Sequence, residues 1–540
     1  MKKIVGILIL SLSLFTACDN DLLEPFTPGS LPEDNAINNS VDLERLRASA
    51  MNFMANRSEY VFSSIYTDEA AIGFNNGGQG VSGDYIFLMN PSNESADAIW
   101  VANYTALSRL NRIIKSADEI VPTSPENAEI IKRIKAQALV LRALCHLKIM
   151  SYYSTNPSDD TKLAGILSNR IILTTETPVR ATNAAFYTLI HADLDNAIAI
   201  FNTNAAPPYE GITKTYFPSK TLAQAIKARA YALKKDYVNA ELFANQVIAT
   251  SNISLANSLD AYKKVFHTHD ESANTEVIFR FNRTVQQNSQ NGNQTYTNNV
   301  PYYNANLHNG WCSVANRRNG SPFYEVSRAL FNKFGGFNQS IPNINQNPDY
   351  RLRAVVFLEG TSVTNSIVNQ NYATATNVRN SDILVLQKHG GQAASTSAGD
   401  FNPDFMVARI SEMYLIKAEA RAFANDFGGV ATTLQNIINA RFTTPYTVPT
   451  PANAQAAWKL ILDERRKELC FEGFRFIDLK RLGTLANSGI DRDPADYSSA
   501  SWNFPAAAPA NLPLTSHKFT LPIPISELNA NSGITQNTGY

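Results

Sequence analysis

One segment, Trp458 to Leu482 (WKLILDERRKELCFEGFRFIDLKRL), limits the possible folds more than any other stretch of the chain. Trp458, Ile461, Leu462, Arg465 and Leu469 recur at the spacing of one face of a 3.6-residue helix. The remaining face is charged, and the spacing predicts ion pairs between Asp463 and Lys467 and between Arg465 and Glu468. Gly473 offers a left-handed cap, so the helix is expected to stop there and a second, Phe474 to Leu482, to leave at an angle. A charged run of this kind is most simply a solvated or salt-bridged helix face, which makes it scaffold and not a catalytic site.

The identities in this corner resemble a known pattern. Glu464-Arg465-Arg466-Lys467-Glu468-Leu469, Phe471-Glu472-Gly473 and Arg475-Phe476-x-Asp478-Leu479-Lys480-Arg481 are similar to the carboxyl-terminal signature of the SusD/RagB family of cell-surface nutrient-binding lipoproteins. Asp68-Glu69, Trp100 with Tyr104, Asn111 and Ile113, the alanine- and arginine-bearing run Ala136 to Leu147, and Glu412 to Ala420 resemble the same family, as does the terminus Phe519 to Leu528 with Gln536 to Tyr540. The resemblance implies a mostly α fold of tetratricopeptide-like helical hairpins with an irregular, loop-rich ligand-binding region.

The amino terminus fits an exported chain. Lys2 and Lys3 precede an apolar run, Ile4 to Phe15, that is too short to span a bilayer and has the layout of a signal peptide over residues 1–17. Leu14 to Cys18 looks like a lipobox, so Cys18 is the expected lipidation site, followed by a tether over 18–40 rich in Asp, Asn, Pro and Gly. Acidic Asp19, Asp21 and Glu24 are similar to the export signal of surface lipoproteins, which favours the outer face of the outer membrane over the periplasmic face. Cleavage before Cys18 leaves 45 basic against 47 acidic side chains, a balance of −2, and no basic patch directs the chain to nucleic acid. Cys145, Cys312 and Cys470 remain, an odd number at wide spacing, which argues against a disulfide framework or a thiolate metal site.

The body is expected over 41–540. Helical stretches occupy 41–250 and 404–482, an irregular ligand-binding region about 251–403, and carboxyl-terminal turns 483–540. Ala228, Tyr231, Ala240 and Val247 follow a tetratricopeptide-like layout, and Ala418 and Ala431 repeat the small-residue pair one position wider. Gly78, Gly80 and Gly83 form a GxGxxG, but Pro91 follows too soon for the helix that a dinucleotide site requires. A loop is the better reading, and Phe74, Asn76 and Tyr85 are candidate ligand contacts on it. Trp100 is either a core residue or a ligand-facing ring.

Residues 281 to 320 hold eleven asparagines, and no Asp or Glu occurs from Phe281 to Tyr324. Aromatic residues are interleaved, Tyr302, Tyr303 and Trp311 among them. A polar connecting loop is one reading. A recognition surface is the other, because flat rings stack on the apolar faces of sugars while amides pair with neighbouring hydroxyls. No HExxH, GxSxG or Walker loop is present, and His267-x-His269-Asp270 lacks a third metal ligand at a diagnostic spacing. The expectation is a non-enzymatic protein without cofactor or metal. As the resemblance implies, it captures oligosaccharide and passes it to a SusC-like TonB-dependent transporter, held to the membrane by its lipid. Three alternatives stay open: a RagB-like peptide binder, a glycan-cleaving lipoprotein, and a scaffold without soluble ligand.

Overall fold

The computed structural model describes residues 37–73, 81–209, 214–267, 276–282, 324–336, 344–356, 382–389, 404–497 and 504–540, with residues 368, 371 and 374 besides. The chain is mostly helical, as expected. It opens with α1 (Ser40–Met54), α2 (Ser58–Tyr66) and a short strand, β1 (Ala70–Ile72). Two long helices follow, α3 (Glu94–Glu119) and α4 (Pro125–Tyr153), then strands β2 (Leu163–Ile166) and β3 (Arg180–Thr182) and helix α5 (Asn183–Thr203). Their starts are set by side chains that take up orphan amides: Asn93 accepts from Ala96 N at 2.9 Å, and Ser124 accepts from Asn127 N at 3.1 Å with Pro125 in the first turn.

Two helical hairpins carry the repeat. The first joins α6 (Lys220–Lys234) to α7 (Tyr237–Thr250); after α8 (Leu259–His267), β4 (Val277–Phe281), β5 (Tyr324–Val326), α9 (Arg328–Lys333), α10 (Arg351–Val355) and β6 (Phe405–Arg409), the second joins α11 (Ile410–Phe423) to α12 (Phe427–Arg441). Both turn in the same way. Lys235 and Asn425 are left-handed, at φ 66° and 57°, and the aspartate after each caps the next helix, Asp236 toward Asn239 N and Asp426 toward Gly429 N. Superposing these turns in register sets Val430, not Ala431, opposite the position of Ala240. The repeat is therefore counted from the turn aspartate, and the wider alanine spacing comes from choosing the neighbouring buried residue. α7 packs on α11, and α11 on α12 and α13 (Ala454–Glu468), which leads to α14 (Arg475–Ala486); α15 (Ile525–Ala530) lies near the terminus.

The corner around Gly473 differs from its sequence reading in detail. α13 ends at Glu468, and both Phe471 and Gly473 are left-handed, at φ 61° and 84°. Trp458, Ile461, Leu462, Arg465 and Leu469 are all buried, as their stripe predicts. Of the charged residues, Glu464, Arg466, Glu468, Glu472, Arg475 and Asp478 are buried as well, while Lys459 is exposed and Asp463 and Lys467 are half-buried. Asp463 pairs with Lys333 at 3.1 Å and Lys459 at 3.3 Å instead of Lys467, which pairs with Glu464 at 2.7 Å. Arg465 reaches Asp478 at 2.8 Å and Glu419 at 3.2 Å instead of Glu468. Buried Arg465 thus pairs across elements, whereas half-buried Asp463 and Lys467 keep local partners on α13, Lys459 and Glu464, and Asp463 adds Lys333.

Apolar side chains of α1, α3–α7 and α11–α14 form one large core. A second, around Ile65, Ile72, Tyr85, Val326 and Phe331, lies beneath the β1·β5 pair, and a third surrounds Tyr262 and Tyr350. Each described sheet has two antiparallel strands, β1·β5, β2·β3 and β4·β6. Among the described residues no helix is long and apolar enough to cross a membrane.

Candidate functional site

The registers of two strand pairs define where the candidate ligand segments are rooted. Ile72 pairs with Tyr324, so segment 74–80 begins beside the point where segment 283–323 ends. Phe281 pairs with Phe405, so segment 283–323 begins beside the point where 390–403 ends. Chain connectivity thus ties the segments bearing Phe74, Asn76, Tyr302, Tyr303 and Trp311 to neighbouring strand ends, although these five residues lie outside the described part of the structure, as do Cys18, His269 and Asp270.

Tyr85 and Trp100 are described, and both are interior. Tyr85 is fully buried in the second core; its hydroxyl donates to the Asp496 carbonyl at 2.8 Å, and Arg492 lies 4.0 Å from its ring centre. Trp100, 1% exposed, sits in the large core between Tyr104 and Tyr153, its indole N–H donating to Glu527 at 3.1 Å. The two rings belong to different clusters and are not brought together. A ligand meets neither ring unless it leaves the core. Gly83 lies in a turn, and the next helix starts only at Glu94, so no helix amino terminus opens at the third glycine of the GxGxxG.

The β1·β5 root is fastened to the Gly473 corner by buried charge. Asp68 takes two hydrogen bonds from Arg475, at 2.7 and 2.8 Å, and one from Asp491 N at 2.7 Å, while Arg466 lies 3.5 Å away. Burial opposes its ionisation, but Arg466 and Arg475 outweigh that and hold the carboxyl well below the usual range. Glu69 accepts from Ser64 at 2.7 Å and from the amide of left-handed Phe471 at 3.2 Å, and burial pushes its pKa up to about 7. Arg492 donates to the carbonyls of Ile65, Thr67 and Tyr85, closing the backbone turns between α2 and the glycine-rich segment.

A larger network lies behind the β4·β6 root. Glu468 accepts from Arg441 at 2.7 and 2.9 Å, from Arg409 at 2.9 Å and from Arg351 at 3.0 Å. Glu276 accepts from Arg441 at 2.9 Å and also pairs with Arg409, while Glu472 accepts from Arg409 at 2.9 Å and from Lys388 at 2.7 Å. Burial disfavours the Glu468 carboxylate, yet Arg441, Arg409 and Arg351 together hold its pKa well below normal. Such a constellation fixes strands and corners. It offers no free nucleophile or base, since each carboxylate is saturated by guanidinium groups.

A cavity of about 100 Å³ lies between α2, α4, α6, α11 and α14. Its charged lining is paired, Lys148 with Glu59 at 2.9 Å and Arg229 with Glu412 at 2.6 Å. Cys145 and Cys470 are free thiols, buried, and burial pushes both up to about 12, which leaves them inert. Among the described residues no group of three or more His, Cys, Asp or Glu is placed to hold a metal ion. The periodicity of 458–482 announces a helix but not that its charges are buried with partners elsewhere in the chain, so this network is what a sequence reading misses. The clustering of arginine with glutamate in that run was its one visible sign.

Comparison with known proteins places the chain. The sequence model described as the SusD family matches residues 275–540. SusD-like protein P2 of Formosa agariphila is 24% identical, over 84% of this chain and 82% of that protein. Among solved structures, a SusD superfamily protein of Bacteroides thetaiotaomicron superposes with a TM-score of 0.69 at 20% identity, covering 92% of this chain and 99% of that one. A SusD-like carbohydrate binding protein of Bacteroides vulgatus gives 0.68 at 18% identity, covering 92% and 98%. The family resemblance and the fold it implies are both borne out.

Proposed function

We propose, from a chain whose residues 275–540 match the SusD family model and whose fold resembles that of SusD superfamily structures, that this protein is a non-catalytic, surface-exposed binding lipoprotein. In this reading it captures oligosaccharide and delivers it to a SusC-like TonB-dependent transporter in the outer membrane, anchored through Cys18. The observation that carries the reading is the common rooting of segments 74–80 and 283–323 on one strand pair. These two segments carry Phe74, Asn76, Tyr302, Tyr303 and Trp311. Flat rings and amides are the side chains that hold sugars, by stacking and by paired hydrogen bonds.

The buried ion-pair network suits this role because it holds the strand ends from which these segments start in a fixed arrangement. In the same reading the helical hairpins form the wall that docks on the transporter. A stable seat there needs an interface on the order of 1,000 Å² or more. A peptide ligand, as in the RagB branch, is the second reading, favoured by the acid-free composition of Phe281 to Tyr324, which suits a carboxylate as well as a sugar.

The test is intrinsic tryptophan fluorescence of the purified protein in detergent, titrated with neutral oligosaccharides and with oligopeptides, beside Trp311→Ala. A saturable response to a glycan, lost in Trp311→Ala, supports capture of sugar through that residue. A response to peptides alone replaces it with the peptide reading, and release of shortened glycan reverses the non-catalytic assignment.

A further inference from the structure

Within the β1·β5 root, Glu325 is a buried acid without a cation of its own. It lies on β5 opposite Ala71 of β1 and is fully buried. Its Oε2 accepts from the amide of Leu384, while Oε1 meets no hydrogen-bond partner. The charged groups that face it are Arg328 of α9, Asp382 and Asp496; β1 brings only Ala70, Ala71 and Ile72. Arg328 is taken up by the other two acids, Asp382 at 2.8 Å and Asp496 at 2.7 Å. Among the described residues three buried carboxyl groups thus share one guanidinium, and Glu325 is the one that forms no ion pair. A carboxylate there is desolvated and repelled by two neighbours, so the closed pair suits the protonated acid. Burial pushes the pKa of Glu325 up to about 8.

We propose that Glu325 makes the β1·β5 pair a pH-sensitive latch, closed while the buried carboxyl keeps its proton and opening locally as the proton is lost. The pair is small enough to open alone. Each strand has three residues, and the apolar side chains beneath them form a cluster separate from the large core. Glu325 also fastens a third strand of chain, since Leu384 donates to its carboxyl and the Leu384 carbonyl accepts from Val326 N at 2.9 Å. Opening returns Glu325 to water, where it titrates near 4.5, so between that pH and about 8 only the closed pair holds the proton. Each rise in pH through this window favours the open pair, and pH sets how firmly the segments leaving Ile72 and Tyr324 are rooted. The latch goes beyond the capture reading and is read on the strands themselves, whatever the ligand.

Its test is hydrogen–deuterium exchange of the purified protein without ligand from pH 7 to 9, with rates corrected for the intrinsic pH dependence of amide exchange. Amides of 70–72 and 324–326 should exchange ahead of those of α11 at every pH. Their protection should fall about fivefold from pH 7 to 8 and no more than about twofold from 8 to 9. Glu325→Gln keeps the shape and cannot ionise, so it should hold the whole fall to about twofold, the share of Glu69, which burial pushes up to about 7. Asp496→Asn removes a neighbouring acid and frees part of Arg328 for Glu325, so it should move the step to lower pH. If Glu325→Gln does not fold, the parent profile and Asp496→Asn decide. Protection that stays constant from pH 7 to 9, an equal fall in Glu325→Gln, or a step that Asp496→Asn leaves in place overturns the proposal. Exchange of both strands in step with α11 overturns it as well, because the pair would then open only when the whole molecule unfolds.

Discussion

Glu468 accepts from three guanidinium groups that the chain brings from far apart, Arg351 at a separation of 117 residues, Arg409 at 59 and Arg441 at 27. Removing one partner from such a cluster leaves buried charge uncompensated. Glu468→Ala is therefore expected to destabilise the fold by about 3–5 kcal/mol, measured by denaturant unfolding. Trp458 and Ile461 could be assigned to a buried face from spacing alone. The burial of Glu464, Arg466 and Glu468 could not, because burial of an ion depends on partners that no local pattern names. Glu325 makes the opposite case. It is fully buried with Asp382 and Asp496 nearby, Arg328 faces all three among the described residues, and burial pushes its pKa up to about 8. Its native pKa lies above the unfolded one, so the native state holds the extra proton between about pH 4.5 and 8 and stability falls as pH rises through that window. Its slope is at most about 1.4 kcal/mol per pH unit for this one proton. In Glu325→Gln this component should vanish from the pH dependence of the unfolding free energy; an unchanged profile would contradict the assignment.

At the scale of elements, the helices were legible and their joints were not. Helix α4 shows itself through Ser124, Pro125 and a long apolar run, and the two hairpins through their small residues. The strands are too short to leave a periodic signature: β1 and β5 have three residues each and are buried on both faces. Their pairing, which roots the candidate segments, is a contact between residues some 250 positions apart and is invisible to any local rule. The shared turn of the hairpins gives a local prediction. Asp236→Ala and Asp426→Ala should each cost about 1 kcal/mol through loss of the helix cap. Asn425→Gly, at a left-handed position, should be neutral or stabilising by a few tenths of a kcal/mol. Thermal unfolding of the three variants checks both.

At the scale of the whole molecule, the described body is held together by its core and by buried charge. The large core and the charge networks fasten α13 and α14 to the strand roots, through Asp68 with Arg475 and Glu69 with Phe471. The family resemblance and the helical fold were readable because the signature at 464–481 carries this fastening: most of the arginines and acids that define it are paired in the interior. The candidate ligand residues were less readable, since aromatic rings serve cores and sugar sites alike. Trp100 and Tyr85 turn out to be interior, while Tyr302, Tyr303 and Trp311 keep their proposed role on segment 283–323. The helical wall is expected to act as one unit, so ligand binding at the rim should leave its backbone protection unchanged.

Hydrogen–deuterium exchange of the purified protein, with and without a bound oligosaccharide, tests this account most directly. It predicts slowed exchange in 74–80 and 283–323 together, with 404–482 unaffected. Protection confined to the helical hairpins, or to one of the two segments without the other, would contradict a binding rim rooted on the β1·β5 pair.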